Sequence, residues 1–344
     1  MNISNSLLNW YRKLKQVLDD SNVALENKGF NRVNSLSEII PEIERHGEIN
    51  CLPYLLKKEI ISVTENDLDG VTTLRGHTFA NCTGLTSITI PDSVTSIGYG
   101  AFSGCTGLIS VYINDIASWC NIYFTDSSSH PLQEGAILYL NGEKVTDITI
   151  PDSVTSIGDY AFYNCTSLTS ITIPDSVTSI GPFAFKNTAY YNNENNWDNG
   201  VLYINNCFIE AKPHINSCEI RNGTQAIGGS AFYGCSNLTS ITIPDSVTSI
   251  GDSAFAFTSF TSITIPKNVT KIGAGAFGRG TSDILLQDVY IHAVTPPILD
   301  DNIVFRTFPT STTIHVPIGS GDAYRTATNW SYYSARIVED IEIN

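Results

Sequence analysis

The side chains with the most reactive chemistry in this 344-residue chain are its eight cysteines and six histidines. Cys82, Cys105, Cys165 and Cys235 occupy one column of a recurring pattern, where disulfides, a metal site and small apolar core filling are the alternatives. Thr188, Thr258 and Gly280 hold the same column elsewhere. Stacked parallel side chains point alongside one another, which is poor disulfide geometry, so the column reads as buried free thiols. Cys207, His214 and Cys218 could ligate zinc, but their spacing fits no Cys-x-x-Cys form and Cys218 holds a core column. Cys120 with His130 would suit a thiol nucleophile and its base, yet no third orienting group accompanies them.

Asn192, Glu194, Asn196 and Asp198 put oxygen donors at every second position, as the first half of a calcium loop does. Trp197 stands where that loop needs its glycine and Tyr203 where it needs its bidentate acid, so a polar surface loop is the better reading. There is no Gly-rich phosphate loop, His-Glu-x-x-His or Gly-x-Ser-x-Gly. The expectation is a non-catalytic chain with no metal and no cofactor.

The charge balance narrows the partners. Nineteen basic against 34 acidic residues give −15, and residues 1–75 account for only −2 of it, with 9 basic and 11 acidic. Such a chain repels a phosphate backbone, which excludes nucleic acid. No apolar run approaches the roughly 18 residues of a membrane helix, and Met1 to Asp20 lacks the pattern of a signal peptide. Neither membrane insertion, nor a signal peptide, nor an anchor is expected, and the expected state is a monomer.

The elements that position these residues come from a repeat. Leu85-Thr-Ser-Ile-Thr-Ile-Pro-Asp-Ser-Val-Thr-Ser-Ile-Gly, followed by Ala101, Phe102 and Cys105, recurs from Leu168 and from Leu238. Phe79, Phe102, Phe162, Phe185, Phe232, Phe255 and Phe277 mark one column with a period of 23. Ile88 and Ile90 alternate with Ser87 and Thr89, the period of two of a half-buried strand. Pro91 ends that strand because it cannot donate to a ladder. Val94 and Ile97 form a second short strand, Gly98 allows a bend, and Ala101, Phe102 and Cys105 fit one helical turn. One such unit buries too little apolar surface to offset its ordering entropy, so neighbours must stack.

Stacking predicts an α/β solenoid with a parallel β ladder, short helical turns outside and a helical N-terminal cap, and the resemblance of its pattern to leucine-rich repeats implies a leucine-rich-repeat solenoid wound as a right-handed superhelix. Residues 1–50 are the helical module, with Leu7, Trp10, Tyr11, Leu14 and Leu18 on one face and a capping box at Ser35 and Glu38. Residues 51–317 are the array, with inserts near 114–144 and 189–211, and 318–344 the C-terminal cap. Each insert carries a hairpin signal, Ile137 to Val145 around Asn141-Gly142 and Val201 to Ile209 around Asn205-Asn206, and the second is expected to repeat the first.

The pattern Leu-x-x-Ile-x-Ile-Pro-x-x-Val-x-x-Ile-Gly-x-x-Ala-Phe-x-x-Cys resembles the BspA-type leucine-rich repeats, and its copies cover about residues 71–317. Asn22 to Arg45 resembles a short module that precedes such repeats, and His315 to Trp330 is similar to the terminal cap of surface proteins from gut Bacteroides relatives. The resemblance implies a cell-surface or secreted, adhesin-like protein that contacts extracellular matrix, host or microbial surface proteins or glycans. In leucine-rich repeats the strand ladder lines the concave face, and here its outward positions are mostly Ser and Thr: 87 and 89, 170 and 172, 240 and 242, 262 and 264. Thr suits any pleated surface. Tyr112, Asp147, Glu219, Asp288, Tyr290 and His315 depart from it in the same two columns and are the candidate contact residues. Asp92, Asp152, Asp175 and Asp245 follow the strand-ending prolines and give the array an acidic edge. The alternative is a structural spacer of cell-envelope or phage-tail type.

Overall fold

A computed structural model describes residues 62–278, 286–305 and 311–342. The helical module expected over 1–50 and Gly280 of the cysteine column lie outside these residues. The described chain forms two compact units, one ending at Val145 and including Tyr163–Ser167, the other comprising Thr146–Phe162 and the residues from Leu168 onward.

In the first unit, alternation of apolar and small polar residues produces short parallel strands in register across repeats. Ser62 pairs with Ser87, Ser87 with Ser110 and Ser110 with Ile137, while Ile88, Val111 and Leu138 fill the inward column. A second ladder joins Thr73–Leu74, Ser96–Ile97 and Tyr123–Phe124. The segment 114–144, expected as an insert, thus supplies a strand to each ladder. Between them sits the helix Ile116–Cys120, whose N-terminus is capped by Asp115 accepting from the Ser118 N–H at 2.8 Å. Asn141 and Gly142, with φ of 52° and 85°, close the hairpin that ends this sheet.

The second unit uses the same registers. Asp147 and Thr149 lie opposite Ser170 and Thr172, and Ser217 and Glu219 opposite Ser240 and Thr242. Ser262–Ile265, Asp288–Ile291, Thr313–Pro317 and Ile337–Ile341 form a four-stranded parallel sheet, so the ladder runs on into the segment expected as the C-terminal cap. The helix Gly321–Thr326 joins the last two strands. The second hairpin does not repeat the first. Its return strand Cys207–Ala211 enters the second ladder, Cys207 opposite Ala226 and Phe208 opposite Ile227, because Phe208 is fully buried and stacks on Phe232 at 4.5 Å.

The expected helical turn is absent. The stretch around each phenylalanine is a run of tight turns in which successive N–H groups alternate in direction. Ala80, Cys82 and Ser103 bond three residues back, whereas His77, Phe79 and Asn81 donate to Tyr99, Ala101 and Ser103 of the next repeat. In the second unit Phe232 and Phe255 donate likewise to Ala254 and Ala276. A helical turn would direct every N–H along its own chain and leave none for the neighbour. The alternation requires left-handed residues, supplied by Gly100 and Gly104 in one repeat and by Ser253 and Phe257 in another. The phenylalanines stack along this side, Phe79 on Phe102 in the first unit and Phe255 on Phe277 in the second, both at 5.3 Å.

The glycine of each Ile-Gly pair makes no left-handed bend; it permits close approach. A Cβ on Gly98 would stand 2.5 Å from the Gly76 nitrogen, and one on Gly251 2.4 Å from the Gly229 nitrogen. Backbone cannot retreat from such a clash within a close-packed stack. Gly251→Ala is therefore expected to lower stability by about 2–3 kcal/mol. Ser253 holds a φ of 53° with nothing in its side chain to repay it, so Ser253→Gly should raise stability by about 1 kcal/mol. Thermal melts of the two variants beside the parent test both signs.

Candidate binding face

In each unit the strands carry the candidate residues at outward positions: Tyr112 in the first unit, opposite Thr89, and Asp147, Glu219, Asp288, Tyr290 and His315 in the second, opposite Ser170, Thr242, Ser262, Thr264 and Tyr290. Register brings some of them together. In the first unit Tyr112 lies directly opposite Tyr139, and the rings stack with centroids 5.0 Å apart and planes inclined by 28°. Tyr139 was not singled out in the sequence, where Ile137 to Val145 reads as a hairpin. Its alternation Ile-Leu-Tyr-Leu, with tyrosine in the threonine column, was the available signal. Cross-strand aromatic pairs of this kind contribute about 0.2–1 kcal/mol beyond alanine pairs.

In the second unit Asp288, Tyr290 and His315 form one cluster. The His315 ring stacks on Tyr290 at 4.3 Å, its Nε2 lies 3.1 Å from Asp288 Oδ1, and its Nδ1 lies 2.8 Å from Asp340 Oδ2 on the last strand. Asp288 and His315 are thus engaged in holding three strands together. Asp147 and Glu219 are exposed and face only Ser170 and Thr242 across their strands.

The segment 189–211 adds a polar and aromatic cluster that the strand pattern did not reveal. Lys186 pairs with Glu210, which also accepts the Tyr191 hydroxyl at 2.8 Å. Burial and the Glu210 charge push that phenol well above its ordinary range. Lys212 lies 4.9 Å over the Trp197 ring and pairs with Glu194. The oxygens considered for calcium do not converge. Asn192 is exposed at the end of the helix Ala189–Asn192, Glu194 pairs with Lys212, Asn196 donates to the Tyr190 carbonyl at 2.8 Å, and Asp198 accepts from Asn199 at 2.9 Å. Among the described residues no group of three or more His, Cys, Asp or Glu side chains could hold a metal ion.

The sulfur chemistry is muted. None of Cys82, Cys105, Cys120, Cys165, Cys207, Cys218 and Cys235 is in a disulfide. Burial pushes the Cys120 and Cys207 thiols up to about 12 and those of Cys218 and Cys235 to about 11, far from a thiolate at neutral pH. Cys207 belongs to the second ladder and Cys218 to the first, while His214 is exposed. His130 is buried against Trp119 and Phe124, and its Nδ1 accepts the Leu132 N–H at 3.2 Å.

The His315 cluster has a calculable pH dependence. Burial disfavours the imidazolium, but hydrogen bonds to Asp288 and Asp340, together with their charges, outweigh it and raise the pKa above 6.5. A folded pKa above the unfolded one contributes stability in full below about 6.5, lost as pH rises through the folded value. Replacing Asp288 and Asp340 by Asn should return the His315 titration, followed by NMR, to 6.5 or below and remove this part of the pH dependence of the melt.

A BspA-type leucine-rich repeat region, in six copies, matches residues 54–131, 136–211 and 203–292. Among solved structures, a leucine-rich repeat protein from Bacteroides ovatus is 24% identical, covering 72% of this chain and 59% of its own, with a TM-score of 0.27. One from Eubacterium ventriosum is 23% identical over 79% of this chain and 70% of its own, with a TM-score of 0.34. A leucine-rich cell surface protein from Faecalibacterium prausnitzii is 22% identical over 78% and 83%, with a TM-score of 0.26. The chain therefore spans less than two thirds of the length of the Bacteroides ovatus protein. No curated protein matches it. Among the described residues no helix is long and apolar enough to cross a membrane. Six matched copies over most of the chain, with the strand registers that those copies require, make it a member of the BspA-type leucine-rich repeat family.

Proposed function

We propose that this chain is a non-catalytic, adhesin-like binding protein of a bacterial surface, built as a leucine-rich-repeat solenoid, that engages a protein or glycan partner through its concave strand face. The observation that carries the reading is the Tyr112–Tyr139 stack, a half-exposed aromatic pair fixed in register amid columns of serine and threonine. Ordered aromatic side chains are preferred anchors of interfaces because little conformational freedom remains to be lost on binding. Within the second unit exposed Asp147 and Glu219 and the turn aspartates Asp152, Asp175 and Asp245, and in the first unit Asp92, add acidic groups that favour partners with basic groups. The buried thiols, raised far from a thiolate at neutral pH, support a role without thiol catalysis.

The partner classes are matrix, host or microbial surface proteins and glycans, met by the chain as a monomer without membrane insertion. Tyr112→Thr, Tyr139→Thr and Asp147→Ser combined should reduce capture of a matrix or surface partner at least tenfold, with the thermal midpoint little changed. Undiminished capture would reject the strand face. No capture by the parent from matrix, serum and bacterial surface extracts would favour the structural spacer.

A further inference from the structure

We infer that Arg221 and Tyr203 form a recognition site for a sugar carboxylate in the second unit, where the strand Ser217–Glu219 ends beside the hairpin strand Val201–Ile204, an inference that goes beyond the strand-face reading above. The residue that closes the first strand of a repeat is proline at positions 91, 151, 174, 244 and 266, whereas the copy containing Ser217–Glu219 has Arg221 there. The exchange restores a backbone N–H, which donates to the Tyr203 hydroxyl at 3.1 Å. It also adds a guanidinium that lies 4.4 Å over the same ring and donates to the Asn205 carbonyl. The Tyr203 carbonyl in turn accepts the Tyr190 hydroxyl at 3.0 Å. Ring and guanidinium are thus fixed relative to each other before a ligand arrives, which lowers the entropic cost of binding.

Arg221 is exposed and has no carboxylate partner among the described residues. By contrast Lys186, Lys212, Lys267, Lys271 and Arg325 each pair with an acid. In a chain of net charge −15, a guanidinium that forms no ion pair among the described residues and is seated on an aromatic ring is positioned to meet an external anion. Its planar fork matches a carboxylate in two hydrogen bonds. The surroundings favour a sugar over a protein surface. The neighbouring outward positions are Ser217, Glu219, Ser240 and Thr242, all exposed and able to exchange hydrogen bonds with hydroxyls. None of the exposed large apolar side chains lies in the segments 189–211 or 215–222, so the apolar centre of a protein interface is missing there.

Isothermal titration of the full chain with oligogalacturonate, with 3′-sialyllactose and with fully methyl-esterified oligogalacturonate tests the assignment. Binding of one or both acidic sugars is expected, and which one binds identifies the source of the carboxylate. The neutral ester and the Arg221→Gln variant should each bind at least tenfold more weakly, and Arg221→Lys should be intermediate, with melting curves confirming that the variants are folded. No binding of either acidic sugar, or equal affinity in Arg221→Gln, would overturn the site. If no acidic sugar binds while the combined variant at Tyr112, Tyr139 and Asp147 loses its captured partner, the strand-face reading stands and the Arg221 site alone falls.

Discussion

Each repeat leaves N–H and C=O groups unsatisfied along its length, and the repeat beside it, 22 or 23 residues away in the regular copies, is what satisfies them. Three sets of bonds do this within each unit: the first strand ladder, the shorter second ladder, and the alternate N–H groups of the turn run around each phenylalanine. Side chains reinforce the same link. The Thr169 hydroxyl donates to the Thr146 carbonyl at 2.9 Å and that of Thr248 to the Gln225 carbonyl at 3.1 Å. Since a buried polar group without a partner costs about 1–3 kcal/mol, no unit can leave the stack without exposing a whole face of such groups.

That requirement explains the composition better than local propensity does. The glycines at 98, 181, 251 and 273, each after a second-ladder isoleucine, are needed because the adjacent backbone lies within 2.5 Å of where a Cβ would be. The Asn, Ser and Gly of the turn run are tolerated because two residues four positions apart in each run, such as His77 and Asn81 or Ser253 and Phe257, are left-handed so that alternate N–H groups reach the neighbour. Tyr160 and Phe183 adopt the same conformation with φ of 59° and 58°, a cost accepted for the same bonds. The inward columns can then be filled with nearly identical apolar side chains, since each meets its own kind one repeat on.

The proposed function is placed where this uniformity is broken. The bonds between repeats fix the backbone and the inward side chains but place little demand on the outward strand positions, so these can change without loss of the fold. Tyr112 and Tyr139, the His315 clamp between Asp288 and Asp340, and Arg221 in a proline column are all departures of this kind. They differ in consequence. The tyrosine pair presents half-exposed rings, whereas the histidine ties the last strand to the ladder.

The repeat, its two strands, the inward columns and the outward pairs of positions were legible in the amino-acid sequence, because a period of two within a period of 23 leaves one register that turns the isoleucines of the strand columns inward. The candidate residues Tyr112, Asp147, Glu219, Asp288, Tyr290 and His315 were legible for the same reason, as exceptions in a known column. The turn run was not. Ala101, Phe102 and Cys105 have helical spacing, and only the neighbouring repeat, by claiming every second N–H, decides against a helix. Tertiary structure also decided that the second hairpin joins the second ladder, that Tyr139 completes a pair with Tyr112, and that Arg221 rests on Tyr203. Each of these is a contact between residues 16 to 27 positions apart, or between one repeat and the next. Local spacing carries the period of an element, whereas the partner that satisfies its outward bonds is fixed only when the chain is stacked.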